Sequence, residues 1–236
     1  MAIAGPAVAQ PVVTVFRLAP PYVMQQADGR LTGLEYELVM AAAEAGGLPL
    51  RAEIAPFGRL PEDFRRGISQ AFVPANADMQ LPGCLSETLL AYRNTAFSLR
   101  QRQLTIASTA DLHTLEVVAF QNASDVLGPE VTTLRAVNPR YREIANQMLQ
   151  VRALLSGRTD VIIGDRRIVR HLMRLPETGF DPAPEVVEHP LFAATHYGVA
   201  FRERAHCTAF NAGLARIRRD GRFDAIMRRW DGEGVH

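Results

Sequence analysis

Short apolar runs that alternate with amphipathic segments are the feature of this sequence that most restricts its fold. Val117–Phe120 is a continuous apolar run of the kind found in strands buried on both faces, and Asp160–Ile163 predicts another buried strand. Val12–Leu18 predicts an earlier strand, and Leu34–Ala45 predicts the helix after it, which Gly46–Gly47 ends. Alternation of strand and helix is typical of the α/β class.

The middle of the chain predicts a second cycle of the same kind. After Gln121–Ser124 we expect a helical stretch toward Leu127, which Gly128–Pro129 ends, and then a strand over Thr132–Val137. Asn138–Pro139 then predicts the start of a strongly amphipathic helix. The residues that would share its apolar face are Tyr141, Ile144, Met148, Val151 and Leu155. Two such cycles predict two similar α/β lobes.

The basic side chains exclude several chemistries. All 26 are arginines, and the sequence contains no lysine. Schiff-base catalysis and nucleotide chemistry that depends on a P-loop or kinase lysine are therefore excluded. With a formal net charge of +1, the chain has no overall field to recruit nucleic acid or an anionic membrane. No apolar stretch approaches the length of a membrane span.

Motifs for metals, nucleophiles and cofactors do not occur in the sequence. The six histidines show no paired spacing on a helix, there is no CxxC, and there is no GxSxG. We therefore predict no metal site and no cofactor. The two cysteines, Cys84 and Cys207, fit either a disulfide in an oxidising compartment or two buried free thiols, and the sequence leaves both open.

The first residues have the composition of a secretory leader. Ala7–Ala9 reads A-x-A, which is a cleavage signal, and Ala2–Ala9 is small and apolar. We interpret residues 1–9 as the remainder of a signal peptide that is cleaved before Gln10 or Pro11. The alternative is an Ala-rich leader without that role. The first interpretation predicts a periplasmic protein.

Several segments, in this order, resemble a known family of binding proteins. They are PPY (Pro20–Tyr22), DGRLTGLEYELVMAAAEAGGL, FS (Phe97–Ser98), DLHTLEVVAFQNAS, LLSGRTDVIIGD, and YGVAF followed by FNAGLARIRRDGRFDAIMRRW. Their order and spacing are similar to those of bacterial extracellular solute-binding proteins of family 3, which serve polar amino acid ABC transporters. The resemblance covers residues 12 to 232.

The resemblance implies a fold, an activity and a partner. The fold would be α/β, with two lobes of the type II periplasmic-binding-protein kind joined by two hinge strands. Residues 10–102 plus 199–236 would form the first lobe, and residues 103–198 the second. The protein would capture a small polar metabolite, an amino acid or a related carboxylate, in the inter-lobe cleft by hinge closure. A monomer would then deliver it to a membrane permease.

The resemblance and the strand ends together indicate ligand-binding residues. Tyr22 follows the first strand and would be an aromatic platform, or would simply pack under the prolines. Gln121, Asn122 and Ser124 open a helix whose free N–H groups favour a ligand carboxylate, an interpretation compatible with ordinary N-capping. Asp165 resembles the aspartate that takes the ligand's amino group, and the alternative is a salt bridge to a neighbouring arginine.

The sequence departs from the family pattern at the carboxylate clamp. In the family, an arginine six residues before the phenylalanine of the FS pair binds the ligand's α-carboxylate through two hydrogen bonds, and this arginine is the clamp. Here that position is Ala91. Either Arg93 serves in its place, or the clamp is absent. Arg59 and Arg17 are the other possible donors. Without a clamp, α-amino acids as ligands are in doubt.

Two other functions stay open beside transport. The first is an extracytoplasmic sensor for a ligand that is not an amino acid. The second is an enzyme, because the same fold carries a cyclohexadienyl dehydratase, which needs a general acid. The carboxyl groups that would serve only if burial raised their pKa are Glu35, Glu37, Glu143 and Asp165. No feature singles one out, so we predict no enzyme activity.

Overall fold

The computed structural model describes residues 10–232. Its strands are β1 (Val12–Phe16), β2 (Met24–Gln25), β3 (Leu31–Thr32), β4 (Leu50–Ile54), β5 (Ala71–Ala75), β6 (Cys84–Leu85), β7 (Leu90–Tyr92), β8 (Asn94–Leu99), β9 (Val117–Phe120), β10 (Tyr141–Ile144), β11 (Val161–Asp165), β12 (Val186–His189) and β13 (Thr195–Phe201). Its α-helices are α1 (Leu34–Ala45), α2 (Leu60–Arg65), α3 (Ala123–Val126), α4 (Pro129–Val137), α5 (Gln147–Leu155), α6 (Arg166–Met173), α7 (Arg204–Arg219) and α8 (Arg222–Gly232). The predicted leader, residues 1–9, lies outside the described residues. None of the helices among residues 10–232 has the length and apolarity that a bilayer crossing needs.

The chain divides into two compact units and passes from one to the other twice. The first unit contains the residues up to Ala91 and from His196 onward, and the second contains Tyr92–Thr195. The sequence predicts both lobe boundaries later, at 102/103 instead of 91/92 and at 198/199 instead of 195/196. At the first boundary the difference comes from β8, which pairs with β11 and β12 in the sheet of the second unit.

The first unit is built on a mixed sheet with the order β4-β1-β5-β13-β6. Strands β4, β1 and β5 are parallel, whereas β13 runs antiparallel to β5 and β6. The helix predicted over Leu34–Ala45 is α1, with the same bounds, and it packs on α7. A hydrophobic cluster beside the sheet is formed by Val15, Leu60, Phe64, Phe72, Ala75 and Ala200.

The second unit has a five-stranded sheet with the order β10-β9-β11-β8-β12. Strands β10, β9 and β11 are parallel, and β8 runs antiparallel to both of its neighbours, β11 and β12. Val117 and Ala119 of β9 belong to one hydrophobic cluster, while Val118 between them belongs to another. The strand is thus covered on both faces, which explains its continuous apolar run. The predicted α/β class is confirmed.

A disulfide joins the two cysteines, which is one of the two states that the sequence leaves open. It links Cys84 of β6 to Cys207 of α7 within the first unit, across a sequence separation of 123 residues. Closing a loop of that length removes unfolded-state entropy worth about 4–5 kcal/mol. The bond therefore stabilises the contact between the edge of the first sheet and α7.

Two predicted elements in the second unit are wrong. The strand expected over Thr132–Val137 is helix α4, because Pro129 occupies the first helical turn and Gly128, with φ of 89°, lies just before it. The long helix expected after Pro139 is instead strand β10 followed by α5. Its first apolar residues belong to a strand that pairs in parallel with β9. Only the later part of the predicted helix, from Gln147, is helical.

Candidate functional site

The carboxyl ends of three parallel strands meet at one edge of the second unit's sheet. At this edge β9 leads into Gln121–Ser124, β11 ends at Asp165, and β10 carries Glu143. Arg93 directly precedes β8, whose first residue, Asn94, pairs with Asp165. We call this group of residues the second-unit edge. It brings together five of the seven ligand-binding residues that the sequence indicates.

Asp165 is engaged by the backbone around it. Its side chain is buried, and its Oδ1 atom accepts hydrogen bonds from the N–H groups of Arg167 (3.0 Å) and Ile168 (3.2 Å), so it N-caps α6. Its Oδ2 atom accepts from the N–H of Arg93 (2.9 Å). The neighbouring guanidinium of Arg166 contacts Glu188 at 2.8 Å.

Arg93 has a fixed backbone and an exposed side chain. Besides donating to Asp165, it accepts a hydrogen bond at its carbonyl from the N–H of Arg166 (2.9 Å). Its guanidinium is therefore presented from a backbone that α6 holds in place. Ala91, the position where the family pattern has the clamp, lies in β7 and is partly buried. A role for Arg93 in place of the clamp stays a prediction.

The start of α3 is occupied by a carboxylate of the chain itself. The sequence predicts free N–H groups at Asn122–Ser124, but the N–H of Asn122 donates to Glu143 Oε2 (2.9 Å). The N–H of Ser124 donates to Glu143 Oε1 (2.8 Å). The side chains of Gln121 and Asn122 are exposed, whereas Ser124 is buried. Asn122 has φ of 64°, a left-handed conformation that asparagine tolerates.

Glu143 receives further support from its own strand. Tyr141, two residues earlier on the same face of β10, donates its hydroxyl to Glu143 Oε1 (2.9 Å). Burial raises the pKa of the Glu143 carboxyl, but hydrogen bonds from Ser124, Tyr141 and Asn122 outweigh burial and hold that pKa below its ordinary value. Burial, and then Glu143, raise the pKa of the Tyr141 hydroxyl. A carboxyl with a lowered pKa is ionised at neutral pH, so Glu143 accepts these hydrogen bonds as a carboxylate.

The remaining contacts of this network involve α4. Arg135 Nη1 donates to Ser124 Oγ (2.9 Å), and Thr132 Oγ1 donates to the carbonyl of Ser124 (2.8 Å). Sequence reasoning considered Glu143 only as an acid and did not indicate Arg135 at all. If this segment is interpreted as a strand, the spacing Tyr141-x-Glu143 places the two side chains on one face and predicts that they are neighbours.

In the first unit, Tyr22 and Arg59 lie in different surroundings. Tyr22 follows β1, and its side chain is fully buried. Its carbonyl accepts hydrogen bonds from the first turn of α1, at the N–H groups of Glu35 (3.0 Å) and Tyr36 (3.3 Å). A Cβ at Gly33 would lie 2.3 Å from this carbonyl, so glycine is needed there. Arg59 is exposed and contacts Asp63 at 3.7 Å. Their ligand-binding roles stay predictions.

The carboxyl groups of α1 differ in their contacts. Glu37 accepts hydrogen bonds from the Thr32 hydroxyl (3.0 Å) and the Trp230 indole (3.1 Å), and it pairs with Arg229. The Glu37 carboxylate is therefore engaged by three groups from outside its own helix, one on β3 and two on α8. Glu35 is buried in the first turn of the helix.

A buried hydrogen bond that the sequence did not indicate connects two strands of the second unit. Ser98 Oγ of β8 and His189 Nε2 of β12 are 2.9 Å apart. Burial lowers the pKa of the His189 imidazole. A hydrogen bond with the Ile106 backbone raises that pKa, but by less than burial lowers it. His189 is therefore neutral at physiological pH. Among residues 10–232, no three His, Cys, Asp or Glu side chains come close enough together to hold a metal ion.

Comparisons with known proteins bear on the fold. No protein-family model matches the sequence, and neither does any curated protein. The structure is similar to a histidine kinase sensor domain with similarity to periplasmic binding proteins, with a TM-score of 0.76 and 18% identity over 94% of this chain and 96% of that one. It is similar to the amino acid ABC transporter substrate-binding protein AbpA from Streptococcus pneumoniae bound to L-arginine, with a TM-score of 0.72 and 15% identity over 96% of each chain.

A third similar structure is an ancestral amino-acid-binding protein described as a precursor of cyclohexadienyl dehydratase. The TM-score is 0.71, with 16% identity over 93% of this chain and 94% of that one. At these identities the likeness establishes the fold, and the predicted type II periplasmic-binding-protein fold is confirmed. The resemblance seen in the sequence thus extends to the architecture of nearly the whole chain.

Proposed function

We propose that the chain is a periplasmic solute-binding protein that captures a small polar metabolite, an amino acid or a related carboxylate, for delivery to an ABC transporter permease. The observation that carries the proposal is the convergence of Arg93, Gln121, Asn122, Ser124 and Asp165 at the second-unit edge, in a fold shared with amino-acid-binding proteins. Ligands of open α/β sheets bind at the carboxyl ends of the strands.

The ligand-binding residues that we propose lie in both units. In the second unit they are Arg93, Gln121, Asn122, Ser124 and Asp165, and in the first unit they are Tyr22 and Arg59. The Cys84–Cys207 disulfide supports the proposed location outside the cytoplasm, because disulfides persist in oxidising compartments. Binding in the micromolar range corresponds to about −8 kcal/mol, which a few charge-assisted hydrogen bonds can supply.

An extracytoplasmic sensor is the second candidate function. Its support is the likeness to a histidine kinase sensor domain, whose TM-score of 0.76 shows the same fold in a signalling protein. Both candidates require reversible ligand binding. They differ in the protein that receives the loaded form and in the ligand, which for the sensor is not an amino acid.

We propose no enzyme activity for the chain. A dehydratase would need a carboxyl group with a raised pKa, whereas hydrogen bonds hold the pKa of Glu143 below its ordinary value. Most similar structures bind ligands without transforming them, although one is an ancestor of a dehydratase. Consumption of prephenate or arogenate by the purified protein would overturn this part of the proposal.

A thermal-shift screen over amino acids and their derivatives tests the binding proposal. A ligand at 100 times its dissociation constant adds about 2.7 kcal/mol to the free energy of unfolding. We expect a shift with at least one compound that carries an amino group, and a smaller ligand-induced shift in Asp165→Asn, measured against that variant's own unliganded baseline. Asp224→Asn, on exposed α8, is the matched control and should respond like the wild type. Absence of any shift across the screen would refute the proposal.

A further inference from the structure

Three hydrogen-bond donors converge on one carboxylate at the second-unit edge. The N–H groups of Asn122 and Ser124 lie 2.9 Å and 2.8 Å from Glu143 Oε2 and Oε1, and the Tyr141 hydroxyl lies 2.9 Å from Oε1. Backbone N–H groups at the start of a helix are the donors that a ligand carboxylate would use. Here they are already satisfied, and the group that satisfies them carries a negative charge.

Strand β10 fixes the position of this carboxylate. Glu143 pairs in register with Ala119 of β9, one residue before that strand ends, so its side chain reaches the segment that follows β9. Tyr141, which pairs with Val117, is buried and belongs to a hydrophobic cluster. Glu143 can therefore turn away from α3 only if all three hydrogen bonds break, including the one from the Tyr141 hydroxyl.

The charged groups around Glu143 do not cancel its charge through direct contact. Arg135 of α4 donates a hydrogen bond to Ser124 Oγ and not to the Glu143 carboxylate. Asp125 of α3 is also near Tyr141 and adds a second negative charge. A ligand carboxylate brought to Asn122–Ser124 would meet like charge and would find the N–H groups of Asn122 and Ser124 occupied. Both effects cost free energy of binding.

We infer that Glu143 is a specificity-determining residue, which keeps ligand carboxylates away from Asn122–Ser124 and makes the ligand end at this segment neutral or cationic. The inference rests on the proposed binding function and narrows its ligand class to amino acid derivatives, such as amides or amines, in preference to free α-carboxylates. An amide N–H is a donor that the Glu143 carboxylate accepts, whereas a free carboxylate offers it none.

Matched pairs of acid and amide provide the test. We would measure the dissociation constants of L-arginine and L-argininamide, and of L-lysine and L-lysinamide, by calorimetry at pH 6, where the α-amino groups of all four compounds are protonated. For the wild type we expect the amide to bind at least about tenfold more tightly than the acid, a preference of about 1.4 kcal/mol. In Glu143→Ala the ratio should fall at least about tenfold, because the N–H groups of Asn122 and Ser124 become free.

Two further variants separate specificity from loosened structure. Glu177→Ala removes an exposed glutamate from the same unit and should keep the wild-type ratio. Tyr141→Phe removes one hydrogen bond to Glu143 but leaves its carboxylate bonded to the N–H groups of Asn122 and Ser124, so this variant should keep most of the preference for amides. If Tyr141→Phe lost the preference as completely as Glu143→Ala, loosening of α3 would be the cause and the inference would fail.

The outcomes distinguish this inference from the function on which it rests. Wild-type protein that binds the acid as tightly as the amide, or more tightly, would overturn the inference and leave the binding function standing. An unchanged ratio in a folded Glu143→Ala would also overturn it. If the wild type bound none of the four compounds, the inference would fall for these ligands, and the screen described above would decide separately whether the binding function falls too.

Discussion

Two strand-to-helix junctions lie at the same edge of the second sheet, and each is capped by a carboxylate in a different way. At the junction of β11 and α6, Asp165 caps the helix that it directly precedes. At the junction of β9 and α3, the carboxylate comes from Glu143, about twenty residues later in the sequence and on a different strand. The first cap depends on local sequence and the second on strand register.

The difference shows which of the two capping contacts can be predicted from local sequence. An aspartate before a helix bonds to the next two or three N–H groups wherever the helix lies, so its contacts follow from position alone. Glu143 reaches α3 only because β10 pairs with β9 and places Glu143 beside Ala119. The bond from Arg93 to Asp165 adds a long-range role even to the local cap.

The largest effect should come from removing the local cap. Asp165→Ala deprives three N–H groups of their acceptor at a buried position, and we expect the free energy of unfolding to fall by about 3 kcal/mol. Urea denaturation measures the change. Asp165→Asn should cost less, because its Oδ1 still caps α6. An Asp165→Ala variant as stable as Asp224→Ala would contradict the structural role of this side chain.

Removal of the remote cap should have a smaller effect. Glu143→Ala also leaves three donors without their acceptor, but Glu143 is partly exposed and water replaces some of the lost bonds. We expect a loss of about 2 kcal/mol in the free energy of unfolding, and less in Glu143→Gln, whose amide oxygen still accepts. The control Glu177→Ala should stay within about 0.5 kcal/mol of the wild type. A loss larger than that of Asp165→Ala would reverse the comparison.

Tyr141→Phe tests one donor of the remote cap. Loss of the hydroxyl should lower the free energy of unfolding by about 1 kcal/mol, the typical worth of a single hydrogen bond. It should also raise the pKa of Glu143, because a donor that favours the ionised form is gone. Carboxyl carbon shifts in a pH titration report that pKa. A pKa that stayed the same or fell would contradict the contact.

The smallest effect should be a dependence of stability on acid pH. Since folding lowers the pKa of Glu143, its contribution to stability is present above the ordinary pKa of 4.5 and is lost as pH falls through the folded value. The lowered pKa of His189 has the same sign, and its contribution to stability begins to fall at a higher pH, as pH drops below 6.5. Thermal melts of the wild type and Glu143→Gln should converge only in the acid window. If the melting temperatures of the two proteins differed by the same amount from pH 3 to pH 7, the predicted contribution of Glu143 would be refuted.

Much of the fold could be predicted because its signals are local. Helix α1 has the bounds that its apolar spacing and its terminal glycines predict, and β9 has those of its apolar run. The failures lie where local signals were ambiguous. Gly128–Pro129 ends one helix and starts another, and Tyr141 and Ile144 fit the spacing of a helix as well as the ends of a short strand.

The candidate site could be predicted only in part. Asp165 and the Asn122–Ser124 segment follow strands that the sequence shows, so their place at the sheet edge follows from the α/β pattern. The occupant of that segment could not be predicted, because β10 was interpreted as part of a helix. On a helix, Tyr141 and Glu143 point to different sides, and the carboxylate has no reason to face α3.

Amide NMR shifts of Asn122 and Ser124 test the central claim, that the Glu143 carboxylate occupies their N–H groups. Through an acid titration, both amide protons of the wild type should move together, with a common midpoint below the ordinary glutamate value of 4.5. In Glu143→Gln neither should titrate at that midpoint. Amide shifts that did not titrate in the wild type, or that titrated identically in Glu143→Gln, would contradict the account.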